Sequence, residues 1–210
     1  MADTYELDEQ SKKVLAMLDG PGIPQCSDMT PEESCDWMGQ FMDKMALDPL
    51  PEIAAIEDIR TGGNIPVRLY RPMSETEGKL PAMIFFHAGG YVFGEPRGMD
   101  SFCRLIAHEA GCIVASVDYR RAPEAKFPAA HDDSYAATCW IADHADDLGI
   151  DAGRIAVGGN SSGGTLAISV ASMALDRNGP KICQMMLWYP GVGSAGDAQS
   201  MKDFSEGYFL

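Results

Sequence analysis

The feature that most constrains this chain is a series of short, almost wholly apolar runs separated by segments of helix length. Ala82–Phe86 (AMIFF), Cys112–Tyr119 (CIVASVDY), Ile155–Gly158 (IAVG) and Ile182–Tyr189 (ICQMMLWY) are strand-sized, and helical patterns lie between them at about 99–110, 130–146 and 162–176. A strand that alternates apolar and polar residues can leave one face in water, whereas a strand apolar on both sides must be covered on both. Apolar strands alternating with helices therefore predict an α/β fold with a mostly parallel central sheet and helices on both faces. Residues 54–60 and 65–71, on either side of Thr61-Gly62-Gly63-Asn64, predict an antiparallel hairpin ahead of that series.

Two helices are expected before the first strand. The first runs over about 7–18, with Leu7, Val14, Leu15 and Leu18 on one face, and the turn DGPGIP at 19–24 ends it. The second opens on Thr30-Pro31-Glu32-Glu33, an N-cap threonine, a proline at the first helical position and a glutamate at the third. Trp37, Met38, Phe41, Met42 and Met45 then recur at helical spacing as a packing face. Residues 1–48 are expected to form a helical segment apart from a core over 49–210.

Bulk properties narrow the function class. Hydrophobic residues make up 46% of the 210 and charged residues 22%, the balance of a globular domain rather than a disordered chain. The net charge of −15 argues against nucleic acid or an anionic membrane as a partner, since both require a basic surface. No apolar run is long enough to span a membrane. The N-terminus, MADTYELDEQSKK, is polar and acidic and has no signal-peptide core, so a cytoplasmic location is expected. Six cysteines, at 26, 35, 103, 112, 139 and 183, show no C-x-x-C spacing. Most have apolar neighbours, as Cys112 and Cys183 do, so buried reduced thiols are expected rather than a metal cluster or disulfide framework.

Two glycine-rich segments carry the chemistry. The strand IAVGG runs straight into GNSSGG and the helix TLAISVASMAL, so that Gly159-Asn160-Ser161-Ser162-Gly163 forms a G-x-S-x-G at a strand-to-helix joint. Such a joint needs a sharp, strained turn, and it lifts the central serine clear of the sheet above a helix N-terminus that favours developing negative charge. Ser161 is thus the candidate nucleophile. A phosphate cradle is the competing reading, and GNSSGG lacks the lysine a P-loop would carry. The second segment, His87-Ala88-Gly89-Gly90-Tyr91, follows the strand AMIFF. Glycines there let backbone N–H groups turn inward unshielded, so Gly89 and Gly90, with the N–H of Ser162, are the candidate oxyanion hole. Each such donor is worth about 3–4 kcal/mol in acyl transfer.

HAGGY, DYRRAPEAKFPAAHDD at 118–133 and GNSSGG, in that order, resemble the hormone-sensitive-lipase-like (bacterial family IV) esterases, whose pattern is HGGG, DYRLAPE…FPAA…D and GDSAGG. The match covers about Ile53–Tyr189. The resemblance implies an α/β-hydrolase core under an N-terminal helical cap that lines the acyl pocket, and a serine carboxylesterase acting on short to medium acyl esters. It implies no metal or organic cofactor, and it leaves a homodimer possible. It also implies that His87 braces the oxyanion loop and that Asp118, Tyr119, Arg120 and Glu124 belong to a turn that positions it; a solvated charged loop is the competing reading, favoured for Arg121 and Glu124. Ala88, Asn160 and Ser162 depart from the family's Gly, Asp and Ala. A non-catalytic ligand-binding protein and an amidase or peptidase on the same scaffold are the alternative functions.

In this fold the triad appears in the chain order serine, acid, histidine. Asp176, Asp197, Asp203 and Glu206 follow Ser161, but all four histidines (87, 108, 131 and 144) precede it. His108 and His144 are expected on helices, and His131 as part of a helix cap. The triad acid and histidine, and the last strands of the sheet, are expected beyond Leu210, in a longer chain or as a second one. Strand 182–189 is then expected to present a bare apolar edge.

Overall fold

The computed structural model describes residues 7–18, 29–44, 46–75, 78–193 and 198–203. The expected turn at 19–24, Cys26, Met45, Asp197 and Glu206 lie outside the described residues. The chain divides into two compact units, one of residues 31–191 and the other of residues 1–30 with 192–210.

The larger unit is built on a six-stranded sheet. Its strands are β1 (Ala55–Arg60), β2 (Pro66–Arg71), β3 (Leu80–Phe86), β4 (Ile113–Val117), β5 (Ile150–Asn160) and β6 (Ile182–Trp188), in the spatial order β1-β2-β4-β3-β5-β6. β3 to β6 are mutually parallel where they pair. The hairpin β1–β2 joins them antiparallel, with Ile59 opposite Val67 and Val67 in turn opposite Val117. Its turn is closed by the Thr61 N–H to the Ile65 carbonyl (3.0 Å) and the Asn64 N–H to the Thr61 carbonyl (2.8 Å), with Asn64 at φ 63°.

The doubly apolar strands have the cover they require. On one face Met83, Phe85 and Val114 pack with Cys103 and Ala107 of α3 (Asp100–Ala110). On the other, Ile84, Phe86, Ala115 and Val117 pack against α4 (Ala129–Asp143) and α5 (Ser162–Asp176) through Ala137, Ile141, Leu166 and Val170. Because side chains alternate along a strand, consecutive residues of β3 feed opposite cores. A 3₁₀ turn at Pro96–Met99 leads into α3. α2 (Pro31–Lys44) begins at its proline and belongs to this unit. Its Trp37 and Phe41 rings stack at 5.4 Å, and Met42 joins the α3-side core.

In the smaller unit α1 spans Glu9–Leu18, and the Asp8 carboxylate accepts from the N–H groups of Gln10 (2.8 Å) and Ser11 (2.9 Å), capping it. Leu7 and Leu15 are half-buried but Val14 is 44% exposed, so the inward stripe is narrower than its sequence spacing suggests. A short helix, α6 (Gln199–Asp203), completes the described part of this unit.

Two expectations need correction. β5 begins five residues earlier than expected, because Ile150 already pairs with Leu80 across a register shift. Cys183 is exposed, unlike buried Cys103 and Cys112, because it stands on the outermost strand. That strand leaves Met185, Met186 and Leu187 at 37–47% exposure, the apolar edge its sequence predicts.

Ile84 is inaccessible to solvent at the centre of the sheet. Ile84→Ala should lower stability by about 2–5 kcal/mol through lost burial and a residual cavity. Urea unfolding should show a lower midpoint at unchanged slope.

Candidate active site

β5 ends at Asn160 and α5 begins at Ser162, so Ser161 occupies the joint alone, partly exposed, at φ 50° and ψ −121°. A side chain held at positive φ costs about 1–3 kcal/mol and persists only where its surroundings over-determine it. Here they do. The Ser161 N–H donates to the Trp188 carbonyl (2.9 Å), and the Ser161 carbonyl accepts from the Thr165 N–H (3.2 Å).

The flanking glycines are required by contact. A Cβ at Gly159 would lie 2.4–2.5 Å from the Gly163 backbone and 2.5 Å from the Phe86 carbonyl oxygen. One at Gly163 would lie 1.9 Å from that oxygen and 2.6 Å from the His87 carbonyl oxygen. The first turn of α5 therefore touches the end of β3, where the second motif starts.

In that motif Gly89 (φ 131°) and Gly90 (φ 58°) reverse the chain, and the N–H groups of Val92 and Phe93 both donate to the Gly89 carbonyl at 2.9 Å. Gly94 (φ 92°) closes the loop, and a Cβ there would meet the Ala88 carbonyl and the His87 ring. The N–H groups of Gly89, Gly90 and Ser162 make no hydrogen bond among the described residues. Three uncommitted donors at the foot of a helix and in the adjacent loop can stabilise a negative oxygen.

Behind the loop stands a brace. His87 is buried, stacked on Tyr119 with ring centroids 4.2 Å apart, and its Nδ1 lies 2.8 Å from the Ala88 carbonyl. The Tyr119 hydroxyl donates to the His87 carbonyl at 2.8 Å. Burial pulls the His87 pKa down to about 4, so the ring is neutral at pH 7. Arg121 donates to the Gly94 carbonyl and lies 3.5 Å from Asp118, whose carboxyl burial pushes above the usual carboxylate range. The Ala122 N–H donates to the Tyr91 carbonyl (2.8 Å). Arg120 grips Asp133 of α4 through two side-chain bonds (2.8 and 2.7 Å) and its own N–H (3.0 Å).

The turn implied by the resemblance is thus present, with two corrections. Arg121 belongs to it rather than to a solvated loop, while Glu124 is exposed. His131 is no cap: it lies inside the first turn of α4, beside the rings of Tyr91 (5.8 Å) and Phe127 (5.2 Å). Asp133 and Gly94 went unassigned in the sequence. The final acid of the FPAA…D pattern was the signal for Asp133; Gly94 had none.

Among the described residues no histidine is paired with Ser161. His87 is committed to the brace, His108 Nδ1 lies 3.0 Å from the Glu52 carbonyl, and His144, the residue after α4, stacks on Trp140.

Two glycines give opposite expectations. Gly163→Ala should abolish the native elbow, costing more than about 4 kcal/mol or yielding no soluble protein, because backbone cannot relieve a contact of 1.9 Å. Gly90→Ala meets nothing within 4 Å, so only its positive φ is penalised, and about 1 kcal/mol is expected in the same unfolding assay. A pH series makes a separate test. The folded His87 pKa is depressed below its unfolded value, so the unfolded chain binds the extra proton as pH falls. Stability should drop between about pH 6.5 and 4, by up to about 3 kcal/mol from this group, and His87→Gln should flatten that part of the curve.

The alpha/beta hydrolase fold family model matches residues 83–210. Among curated relatives, esterase LipI of Mycobacterium tuberculosis is 44% identical over 145 residues, 68% of this chain and 45% of the relative. Ethyl acetate hydrolase of Pseudomonas putida is 39% identical over 155 residues, 72% and 48% respectively. An ester-hydrolase from the metagenome of Lake Arreo, solved with a bipyridine phosphonate derivative, superposes with TM-score 0.90 at 35% identity over 98% of this chain and 67% of that one. The hyperthermophilic esterase of Pyrobaculum calidifontis gives TM-score 0.87 at 36% identity, over 98% and 66%. The chain spans less than half the length of these curated relatives. It belongs to the α/β-hydrolase family, in the hormone-sensitive-lipase-like branch.

Proposed function

We propose that this chain carries the nucleophile and oxyanion hole of a serine carboxylesterase. The observation that carries the reading is Ser161, at positive φ over the α5 N-terminus, beside three uncommitted backbone N–H groups. Ser161 Oγ attacks the ester carbonyl, and the N–H groups of Gly89, Gly90 and Ser162 hold the resulting oxyanion. Collapse expels the alcohol and leaves an acyl-enzyme, which water hydrolyses.

The proton from Ser161 needs a base. With every histidine of this sequence committed elsewhere, we assign the base and its orienting acid to chain beyond residue 210, in cis or as a second polypeptide. The relatives' greater length supports this. The named relatives hydrolyse esters, one of them ethyl acetate, which supports short to medium acyl esters as substrates. α2 is the candidate lining of the acyl side, since its Cys35 thiol reaches the Val92 carbonyl of the oxyanion loop (3.8 Å).

A fluorophosphonate probe on the full-length protein, read by intact mass and peptide mapping, tests the assignment. One adduct on Ser161 is expected. Ser161→Ala should abolish it and lower kcat/KM for p-nitrophenyl acetate by at least ~10⁴. Turnover that survives the substitution would refute the nucleophile. Ester binding with neither adduct nor turnover would point to a ligand-binding scaffold.

A further inference from the structure

Arg121 stands where the family pattern DYRLAPE has leucine, and its side chain makes polar contacts that leucine, with no donor, cannot make. The loop it meets is costly to hold. Gly89, Gly90, Tyr91 and Gly94 all lie at positive φ, and glycine loses more conformational freedom on ordering than any other residue. The Val92 and Phe93 N–H groups turn to the Gly89 carbonyl at 2.9 Å, which fixes the first part of the loop. The last part ends on the Gly94 carbonyl, to which the Arg121 guanidinium donates through Nη1. The same nitrogen lies 3.5 Å from Asp118 Oδ1, a buried oxygen with no hydrogen bond of its own among the described residues. Asp118 is fastened to the sheet in turn, its N–H donating to the Pro66 carbonyl of β2 at 3.0 Å. The Arg121 and Asp118 side chains are 29% and 30% exposed, so salt screens their attraction less than it would at the open surface. Burial pushes the Asp118 carboxyl above the usual carboxylate range, and Arg121 is the foremost cation pulling it back. Arg120, one residue earlier, is committed elsewhere, to Asp133 of α4.

We propose that Arg121 is a positioning residue absent from the family pattern: its Nη1, drawn to the sheet-anchored carboxyl group of Asp118, donates to the Gly94 carbonyl and pins the far end of the loop that carries the Gly89 and Gly90 N–H groups. The Ala122 N–H holds the Tyr91 carbonyl at 2.8 Å, so two successive residues of one turn grip the loop at two carbonyls. A charged donor makes the stronger kind of hydrogen bond. With leucine at 121 the Gly94 carbonyl loses that donor and Asp118 loses its ion pair, which frees the loop and strands a half-buried carboxylate. The consequence for catalysis rests on the esterase reading. The pin itself can be tested without activity.

The experiment is hydrogen–deuterium exchange with steady-state kinetics on the full-length protein, comparing wild type, Arg121→Leu and the double variant Arg121→Leu/Asp118→Asn. In Arg121→Leu the Val92 and Phe93 amides should exchange about 10–100-fold faster, the effect of losing one hydrogen bond from a charged donor, while those of Ala167 and Val170 in α5 stay unchanged. On p-nitrophenyl acetate kcat should fall by about 10-fold with KM within about twofold, because a loosened loop weakens the hold on the oxyanion and not ground-state binding. The double variant also removes the stranded charge, and there the two amides should stay as fast as in Arg121→Leu. Unaltered exchange at Val92 and Phe93 in Arg121→Leu overturns the proposal. So does wild-type protection in the double variant, since the loosening would then come from the stranded carboxylate and not from the lost grip on Gly94. Faster exchange with kcat unmoved overturns the positioning role. If Arg121→Leu does not fold, Arg121→Met, which keeps a long apolar stem, is read in the same way. Wild-type protein without turnover would sink the esterase reading and leave the exchange result to judge the pin.

Discussion

The candidate site depends on one close approach, between the first turn of α5 and the end of β3. Gly163 sits where a single methyl group would lie 1.9 Å from the Phe86 carbonyl oxygen, and Gly159 is pressed against both Gly163 and that oxygen. Three elements meet at that carbonyl: the strand before the Gly89–Gly90 loop, the strand before Ser161 and the helix after it. The β3–β5 register, with Phe86 opposite Gly159, brings the two glycine-rich segments to the same level of the sheet. Segments some 70 residues apart in sequence thereby become one site.

That approach imposes a division of labour between strain and support. Ser161, at positive φ, is held by the Trp188 carbonyl, by Thr165 and by its glycine neighbours. The segment after β6 adds to this. Thr165 Oγ1 donates to the Gly191 carbonyl (2.8 Å), Asn160 Nδ2 donates to Tyr189 Oη (3.3 Å), and Pro190 crowds Gly164. The loop around Gly89 and Gly90 has no regular structure of its own and borrows rigidity from His87, Tyr119, Arg121 and, through Arg120, from α4. Tyr119, Arg121 and Thr165 spend their side chains on backbone carbonyls, which is the kind of support that preorganised N–H groups need.

Much of this was legible in the sequence because it is local. Strands apolar on both faces announce a covered parallel sheet, and a strand running through G-x-S-x-G into a helix announces the elbow. What was illegible depends on partners far away in the chain. Arg121 looks like a loop charge until Gly94 and Asp118 are placed beside it, and His131 looks like a cap until Tyr91 and Phe127 flank it. Cys183 sits in an apolar run, yet burial is set by the strand's position at the sheet edge and not by its sequence neighbours. The early start of β5 likewise comes from Leu80 offering a partner to Ile150. Local pattern says which face a residue can take; only the assembled sheet says what that face meets.

The brace also explains why His87 cannot act as the base at Ser161. A general base near neutrality needs a pKa close to 7 and an open nitrogen within reach of the proton it takes. Burial pulls His87 to about 4, Nδ1 faces the Ala88 carbonyl, and the ring lies flat on Tyr119. Turning it toward Ser161 would break that stack and the contact of Nδ1 with the Ala88 carbonyl. The same imidazole therefore cannot both brace the Gly89–Gly90 loop and accept a proton from Ser161. On the esterase reading proposed above, the proton of Ser161 therefore has to go to a base other than His87.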